Sequence, residues 1–366
     1  MTSDFTSSLY LGMRHPSRFL RQWKQLTTGF PDAIATPVKN RHIAQAFASL
    51  QGCEQGIFGP STLHLFFDLF GMLKNERVAV YMDAELYPVA RMGLERLKAA
   101  GKPVRSFPHR NAAALSDCLK QDAFLQARPV VVTDGFCTRC GKAAPVKAYL
   151  DLVRRYRGML VIDDTQSLGI LGHSPSPSAP YGHGGGGILR WSSAMGPEII
   201  LVSSLAKGFG VPLAILSGSA GTVRHFMENS ETRVHCSPPS AAAVHAAEHA
   251  LAVNSEYGEI LRQRLLTRVR HFRKQMAASG CFTEGGLFPV QTLSSPGCTD
   301  AGKIYGQLMR HGVKTVLRIS HRRHGPLICF VITALHGFDD IDRTVKILKN
   351  ALEAESIHPL MLGDFT

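Results

Sequence analysis

The stretch Ser203-Ser204-Leu205-Ala206-Lys207-Gly208-Phe209-Gly210 sets two hydroxyls and one lysine directly after an apolar run, Ile199-Ile200-Leu201-Val202. Such a run is expected as a buried strand, and the glycines beyond the lysine let the backbone turn sharply. A lysine at the mouth of a sheet, screened from water, gives up its proton readily and can form a Schiff base with an aldehyde. Ser204, three residues before it, is placed to hold a phosphate. Forty-four residues upstream, Met159-Leu160-Val161-Ile162-Asp163-Asp164 is a second apolar run, ending in carboxylates. A lone lysine after a strand is ordinarily a solvated surface residue. The aspartate-terminated strand is what gives this one a chemical reading.

A Schiff-base lysine with an acidic partner for a pyridinium nitrogen is the pairing that pyridoxal phosphate requires. Asp163-Asp164-Thr165-Gln166-Ser167-Leu168-Gly169-Ile170-Leu171-Gly172 and Ala206-Lys207-Gly208-Phe209-Gly210 resemble the fold-type I pyridoxal phosphate enzymes. Within these they are most similar to the α-oxoamine synthases, whose pattern runs D-[DE]-A-H-S-x-G-x-x-G and then S-K-x-F-G. The resemblance implies that Lys207 carries the cofactor and moves the α-proton, and that Asp163 keeps the pyridine nitrogen protonated. Gly56–Thr62 resembles a turn that binds the cofactor phosphate at a helix N-terminus. Ser61 and Thr62 supply hydroxyls there; a plain Ser/Thr helix cap is the other reading. Tyr87, four residues beyond Asp83, stands where the synthases stack a histidine on the ring, and an aromatic stacks equally well. Thr138, in Thr133-Asp134-Gly135-Phe136-Cys137-Thr138, falls at the residue that bonds the cofactor's phenolic oxygen. Ser237 matches a hydroxyl that reaches the neighbouring subunit's phosphate, which implies a homodimer with shared sites. Ser8–Gly12 with His15-Pro16, and His336–Asp342, resemble the family's opening and ending.

The chain departs from the pattern in the substrate machinery. Gln166 stands where the synthases have a histidine beside the phenolic oxygen; it can hydrogen-bond but does not titrate near neutrality. The family's arginine clamp for the amino-acid carboxylate has no counterpart in Leu327–Ala334. Arg318, Arg322 or Arg323 could supply it from the preceding segment, or could be solvated charges. Three readings follow. In the first, an amino acid condenses with an acyl thioester and loses carbon dioxide. The second is an aminotransferase, or other pyridoxal phosphate chemistry, on an amine without a clamped carboxylate. A cofactor-binding protein without catalysis is the third, and the Lys207–Asp163 pair argues against it.

Positioning these residues calls for an α/β fold. Apolar runs at Arg77–Met82, Pro129–Thr133, Met159–Asp163, Glu198–Val202 and Ala214–Gly218 are expected strands, with helices at His42–Leu50, Leu63–Leu73, Leu86–Leu97 and Val146–Arg157. Strand, helix, strand at this spacing is a right-handed crossover, hence a mixed, mainly parallel sheet covered by helices. Catalytic groups belong at the carboxyl ends of such strands. Gly56–Thr62 reads as a turn, and Gly172–Trp191 with its four glycines as a flexible loop. Ala241–Val253 and Glu259–Ala278 read as two helices. Strands near Phe288–Thr292 and Leu327–Ile332 and a last amphipathic helix complete the chain. The expected domains are an N-terminal arm (1–40), a large cofactor domain (41–253) and a smaller α+β C-terminal domain (254–366).

At 366 residues the chain is long for one core, and its composition is that of a soluble globular protein, 45% hydrophobic and 19% charged. No run is long enough to span a bilayer, and Met1-Thr2-Ser3-Asp4-Phe5 lacks the features of a signal peptide. A net charge of +13 is spread out, apart from Arg318–Arg323 and Arg262–Lys274. That favours small anionic ligands over nucleic acid. Eight cysteines without a secretory signal read as reduced thiols of a cytoplasmic protein. Cys137-Thr138-Arg139-Cys140 has neither a second C-x-x-C nor a histidine pair near it in sequence, so no metal is expected.

Overall fold

The structure, a computed structural model, describes residues 2–294, 300–319 and 325–357. It divides into a smaller unit drawn from Met1–Gly12, Thr138–Lys142 and Ile260–Thr366, and a larger one comprising Met13–Cys137 and Ala143–Glu259. A two-residue strand, β1 (Ser3–Asp4), belongs to the smaller unit.

The larger unit is built on a seven-stranded sheet: β2 (Gln55–Gly59), β3 (Val78–Asp83), β4 (Val104–Phe107), β5 (Arg128–Asp134), β8 (Met159–Asp163), β9 (Ile199–Ser204) and β10 (Ala214–Gly218), in the order β2-β10-β9-β8-β5-β3-β4. Two-residue strands β6 (Phe136–Cys137) and β7 (Lys142–Ala143) follow β5. Strands β4, β3, β5, β8 and β9 run parallel; β10 is antiparallel to both its neighbours. The expected mixed, mainly parallel sheet is therefore present. Its helices are α1 (Val38–Gln51), α2 (Thr62–Met72), α3 (Pro88–Ala99), α4 (Ala112–Gln121), α5 (Val146–Arg155), α6 (Ile188–Ser192), α7 (Ala220–Asn229) and α8 (Glu231–His235). Alternate residues of the central strands, among them Val80, Val130, Val132, Val161, Ile200 and Val202, pack with Phe66, Leu69 and Phe70 of α2 and Leu94 and Leu97 of α3. Both faces of the central strands are buried, which is why they read as unbroken apolar runs.

Three expectations are corrected. Gln55–Gly59 is an edge strand rather than a turn. Its glycines are there for packing: a side chain at Gly56 would press on the Ala44 carbonyl of α1, and one at Gly59 on Leu65 of α2. The two helices expected across 241–278 are one, α9 (Ala241–Ala278). No proline interrupts it, and Asn254, where the break was expected, turns its amide to the Gly184 carbonyl at 3.1 Å. The glycine-rich segment read as flexible is tied down by Gly169 N–H to Gly185 O at 2.8 Å and Gly187 N–H to Leu171 O at 2.7 Å. Most of its glycines take positive φ, from +69° to +85°.

In the smaller unit, β11 (Phe282–Glu284), β12 (Val290–Ser294), β14 (Val316–Ile319) and β15 (Pro326–Val331) form an antiparallel sheet in the order β11-β12-β15-β14. Helix α10 (Ala301–Arg310) packs on β15 and α11 (Phe338–Ile357) on α10, and β1 pairs in parallel with β13 (Val313–Lys314).

The ring of Phe66 is fully buried and stacks on Phe70 at 5.9 Å. Phe66→Ala is expected to cost about 3–5 kcal/mol, measured as a lower denaturant midpoint with an unchanged slope.

Candidate active site

Strand register brings the ionisable groups together. β5 and β8 pair in parallel so that Asp134 lies opposite Asp163, and β8 pairs with β9 so that Asp163 lies opposite Val202, five residues before Lys207. Two carboxylates thus end adjacent strands side by side, with the lysine in the turn after the third. Lys207 is held below the ordinary lysine range by burial, and Asp163 and Asp134 pull it back up. Burial raises Asp163, the hydroxyl and N–H of Thr165 lower it, and so does Lys207. Asp134 is pushed well up by burial and by the charge of Asp163. The group as a whole resists carrying two bare negative charges, and a bound cation in front of Asp163 would relieve it.

Tyr87 precedes α3, with Pro88 fixing the first helical position, and its N–H donates to Asp134 Oδ1 at 3.2 Å. The Lys207 Nζ lies 5.7 Å from the centre of the Tyr87 ring, which is 48% exposed and so offers a free face. Lys207, Asp163 and Tyr87, nominated separately by sequence, are thereby gathered at one end of the sheet. The turn carrying the lysine is packed from below: a Cβ at Gly208 would collide with the Leu168 carbonyl, and Gly169 meets Gly208 with φ +89°.

Ser204 ends β9; its N–H donates to Thr165 Oγ1 at 2.9 Å and its hydroxyl accepts from Ala206 N–H at 3.3 Å. Ser61 is the N-cap of α2, its hydroxyl bonded to His64 Nδ1 at 2.9 Å, and Thr62 is the first residue of that helix. Ser237 lines a narrow cavity of about 20 Å³ together with Gly59, Pro60 and His64, at the start of α2. Gln166 is half-buried in the turn after β8, and Thr138 half-buried in the turn after β6, within the Thr138–Lys142 segment of the smaller unit. In that unit Arg318 stands on β14 opposite Leu327, on the sheet face it shares with Cys329, and its buried Nη2 has no hydrogen-bond partner among the described residues. Arg322 and Arg323 lie outside the described residues.

Two residues escaped the sequence reading. Asp134 is visible as a carboxylate ending an apolar run, but its place beside Asp163 depends on register. Thr165, two residues beyond Asp163, clamps it through an N–H bond of 3.0 Å and links it to β9 through Ser204. Asp164, in contrast, points away: fully buried, it accepts from Ser167 and from the first N–H of α6, and burial raises it to about 8. It is a structural cap.

A strand-terminal aspartate, a half-buried lysine and an aromatic face at the carboxyl end of a mainly parallel sheet fit pyridoxal phosphate and define the class of fold-type I pyridoxal phosphate enzymes. Residues 26–320 match the family "Aminotransferase class I and II", and the chain belongs to that family. Among curated proteins it is similar to the 8-amino-7-oxononanoate synthase of Coprothermobacter proteolyticus, 26% identical over 287 residues, 76% of this chain and 69% of that protein. The corresponding synthase of Citrobacter koseri is 24% identical over 355 residues, 95% of this chain and 89% of that protein. Among solved structures, Sphingomonas wittichii serine palmitoyltransferase shares the fold with a TM-score of 0.83 at 15% identity, over 97% of this chain and 88% of that one. Francisella tularensis 8-amino-7-oxononanoate synthase does so with a TM-score of 0.74 at 16% identity, over 97% and 99%. The protein is a pyridoxal phosphate-dependent enzyme.

Histidine does reach the first cysteine of the C-x-x-C, although none is near it in sequence. His109 bonds Asp83 Oδ1 at 2.7 Å through Nδ1, and its ring lies within 4.8 Å of the Cys137 thiol. Burial disfavours its protonation, but the bonds to Asp83 and Cys137 outweigh this and raise it to about 9. The folded state therefore holds this proton more tightly than the unfolded chain. Its stabilisation is complete below about pH 6.5 and lost as pH rises through about 9. Unfolding midpoints of the wild type are expected to fall across that interval, and those of His109→Gln to lie lower and stay flat. In the active site, Asp163→Ala is expected to weaken cofactor binding about a hundredfold or more, as loss of one partner of a buried charge pair does, measured by equilibrium dialysis.

Proposed function

We propose that this enzyme condenses an amino acid with an acyl group carried as a thioester, releasing carbon dioxide and the free thiol. The observation that carries this reading is the near full-length similarity to an 8-amino-7-oxononanoate synthase, 95% of this chain. It is joined by the grouping of Lys207, Asp163 and Tyr87 at the strand ends.

Pyridoxal phosphate, when bound, supplies an electron sink for the carbanion formed at the substrate's α-carbon. Lys207 would hold its aldehyde carbon, and its lowered proton affinity suits it to take the α-proton and return it. Asp163, braced by Thr165, would keep the ring nitrogen protonated. Tyr87 would stack on the ring. Ser61 and Thr62 at the positive end of α2, with Ser204, would hold the phosphate, and Ser237 would reach that of the neighbouring subunit. Thr138 and Gln166 would hydrogen-bond the phenolic oxygen. One of Arg318, Arg322 and Arg323 would take the amino-acid carboxylate in place of the missing arginine. The enzyme works as a homodimer in the cytoplasm. Supporting the first point, Phe19, Phe30 and Ile34 expose apolar surface (56%, 57% and 75% exposed), as a face covered by a second copy would.

A second reading, an aminotransferase, is favoured by the aromatic at position 87 and by the absence of arginine from Leu327–Ala334. The two differ in stoichiometry. Purified holoenzyme with single amino acids and acyl-coenzyme A thioesters is expected to release carbon dioxide and free thiol in equal amounts, only when both substrates are present. Lys207→Ala should abolish this. A carbonyl product from an amine alone, without thiol release, would establish the aminotransferase instead.

A further inference from the structure

The turn that carries Lys207 is closed at its base by two backbone bonds, Val211 N–H to Leu205 O at 3.1 Å and Leu205 N–H to Leu213 O at 2.8 Å. The Phe209 ring is buried and packs edge-on against Phe47 of α1 at 5.1 Å. The Phe209 carbonyl, two residues from the lysine, is met by His15 Nε2 at 2.7 Å. His15 comes from the segment before α1, and its other ring nitrogen lies 2.9 Å from Nδ1 of His249, on α9. His249 is in turn stacked on Phe19, with the rings 5° from parallel.

The proton positions follow from chemistry. A carbonyl oxygen only accepts, so His15 Nε2 carries a hydrogen and, in the neutral ring, His15 Nδ1 is a lone pair. The 2.9 Å contact then requires His249 Nδ1 to donate. A proton on His15 Nδ1 would set two N–H groups against each other. Burial and the nearby His249 hold His15 below the ordinary histidine range, against the pull of the Phe209 carbonyl. The charges around the pair are Glu248, paired with Lys39 at 2.7 Å and Arg21 at 3.8 Å, and Arg18, over the Phe19 ring at 4.8 Å. His245, one helical turn before His249, is engaged by the Arg21 carbonyl at 2.7 Å.

We infer that His15 is a positioning residue for Lys207: its bond to the Phe209 carbonyl, with the tautomer fixed by His249, holds the lysine's turn in its half-buried place. The assignment rests on Lys207 being the cofactor lysine. Losing the bond lets water into the turn, and because burial is what depresses the lysine, its proton affinity rises.

The test compares holoenzymes of the wild type, His15→Phe, which keeps the ring shape without a donor, and His15→Gln, whose amide N–H can still reach the carbonyl. The pH midpoint of the lysine-bound cofactor's visible band, the rate of cofactor release on dilution, and the melting temperature are measured for each. His15→Phe is expected to move the midpoint up by about half a unit and to release cofactor about fivefold faster, the effect of one ordinary hydrogen bond. His15→Gln should restore both. A midpoint and release rate in His15→Phe equal to the wild type, even with a lowered melting temperature, would overturn the inference, as would His15→Gln behaving like His15→Phe. Should the wild-type band be missing, or survive in Lys207→Ala, the assignment of Lys207 fails instead, and the two failures are distinct.

Discussion

Holding Lys207 and two carboxylates close to one another, partly screened from water, is the constraint on which this architecture turns. Each group buried alone would be costly, and each is tolerable only with the others at fixed places. Those places are set by register, and a slip of one residue between β5 and β8 would send the strand's side chains to the opposite face. What prevents the slip is apolar: Val130 and Val132 on β5 and Val161 on β8 fit beneath Phe66, Leu69 and Phe70. The electrostatics of the strand ends is therefore bought by the packing of the strand middles. Thr165 adds the local part, fastening the Asp163 carboxylate to the end of β9 through Ser204.

Much of this was legible because the central strands are buried on both faces. Met159–Asp163 and Ala214–Gly218 have the bounds their apolar runs suggest, and the lysine, the aspartate and the aromatic were each named from local pattern. The misses share a cause, since they depend on partners distant in sequence. Glycines hid β2 by looking like a turn, although they are needed where α1 and α2 approach. The stretch 254–258 stood between two expected helices, but Asn254, whose side chain finds the Gly184 carbonyl, does not interrupt α9. Asp134 gains its role only from the strand beside it, and His109 reaches Cys137 from 28 residues away in sequence. The sequence reading also leaves out α4, α7 and α10, although Asn111, Ser219 and Asp300 cap them.

Where the chain departs from the synthase pattern, it does so in one direction. Tyr87 and Gln166 stand at positions that hold imidazoles in the pattern, and Cys329, a buried thiol, stands in the strand that carries the arginine there. The first two changes remove groups that titrate near neutrality while leaving the ability to stack and to hydrogen-bond. On the proposed reading, proton movement at the strand ends falls to Lys207, whose proton affinity Asp163 and Asp134 raise against burial. The resemblance is thus strongest in what holds a cofactor and weakest in what selects a substrate.

The pairing of β1 with β13 joins residues more than 300 positions apart in the chain, Ser3 with Val313. On a ribosome the first of these emerges long before the second exists. Phe5, Tyr10 and Leu11, all buried in the finished protein, must wait through most of synthesis as exposed apolar surface. By then the sheet from β2 to β10 is complete in sequence and free to collapse. Vectorial synthesis therefore favours a larger unit that forms first and a smaller one that closes last, with the opening residues as its final strand. Until then the segment Phe5–Leu11 is apolar surface without its final cover, the kind of exposure that invites misassembly.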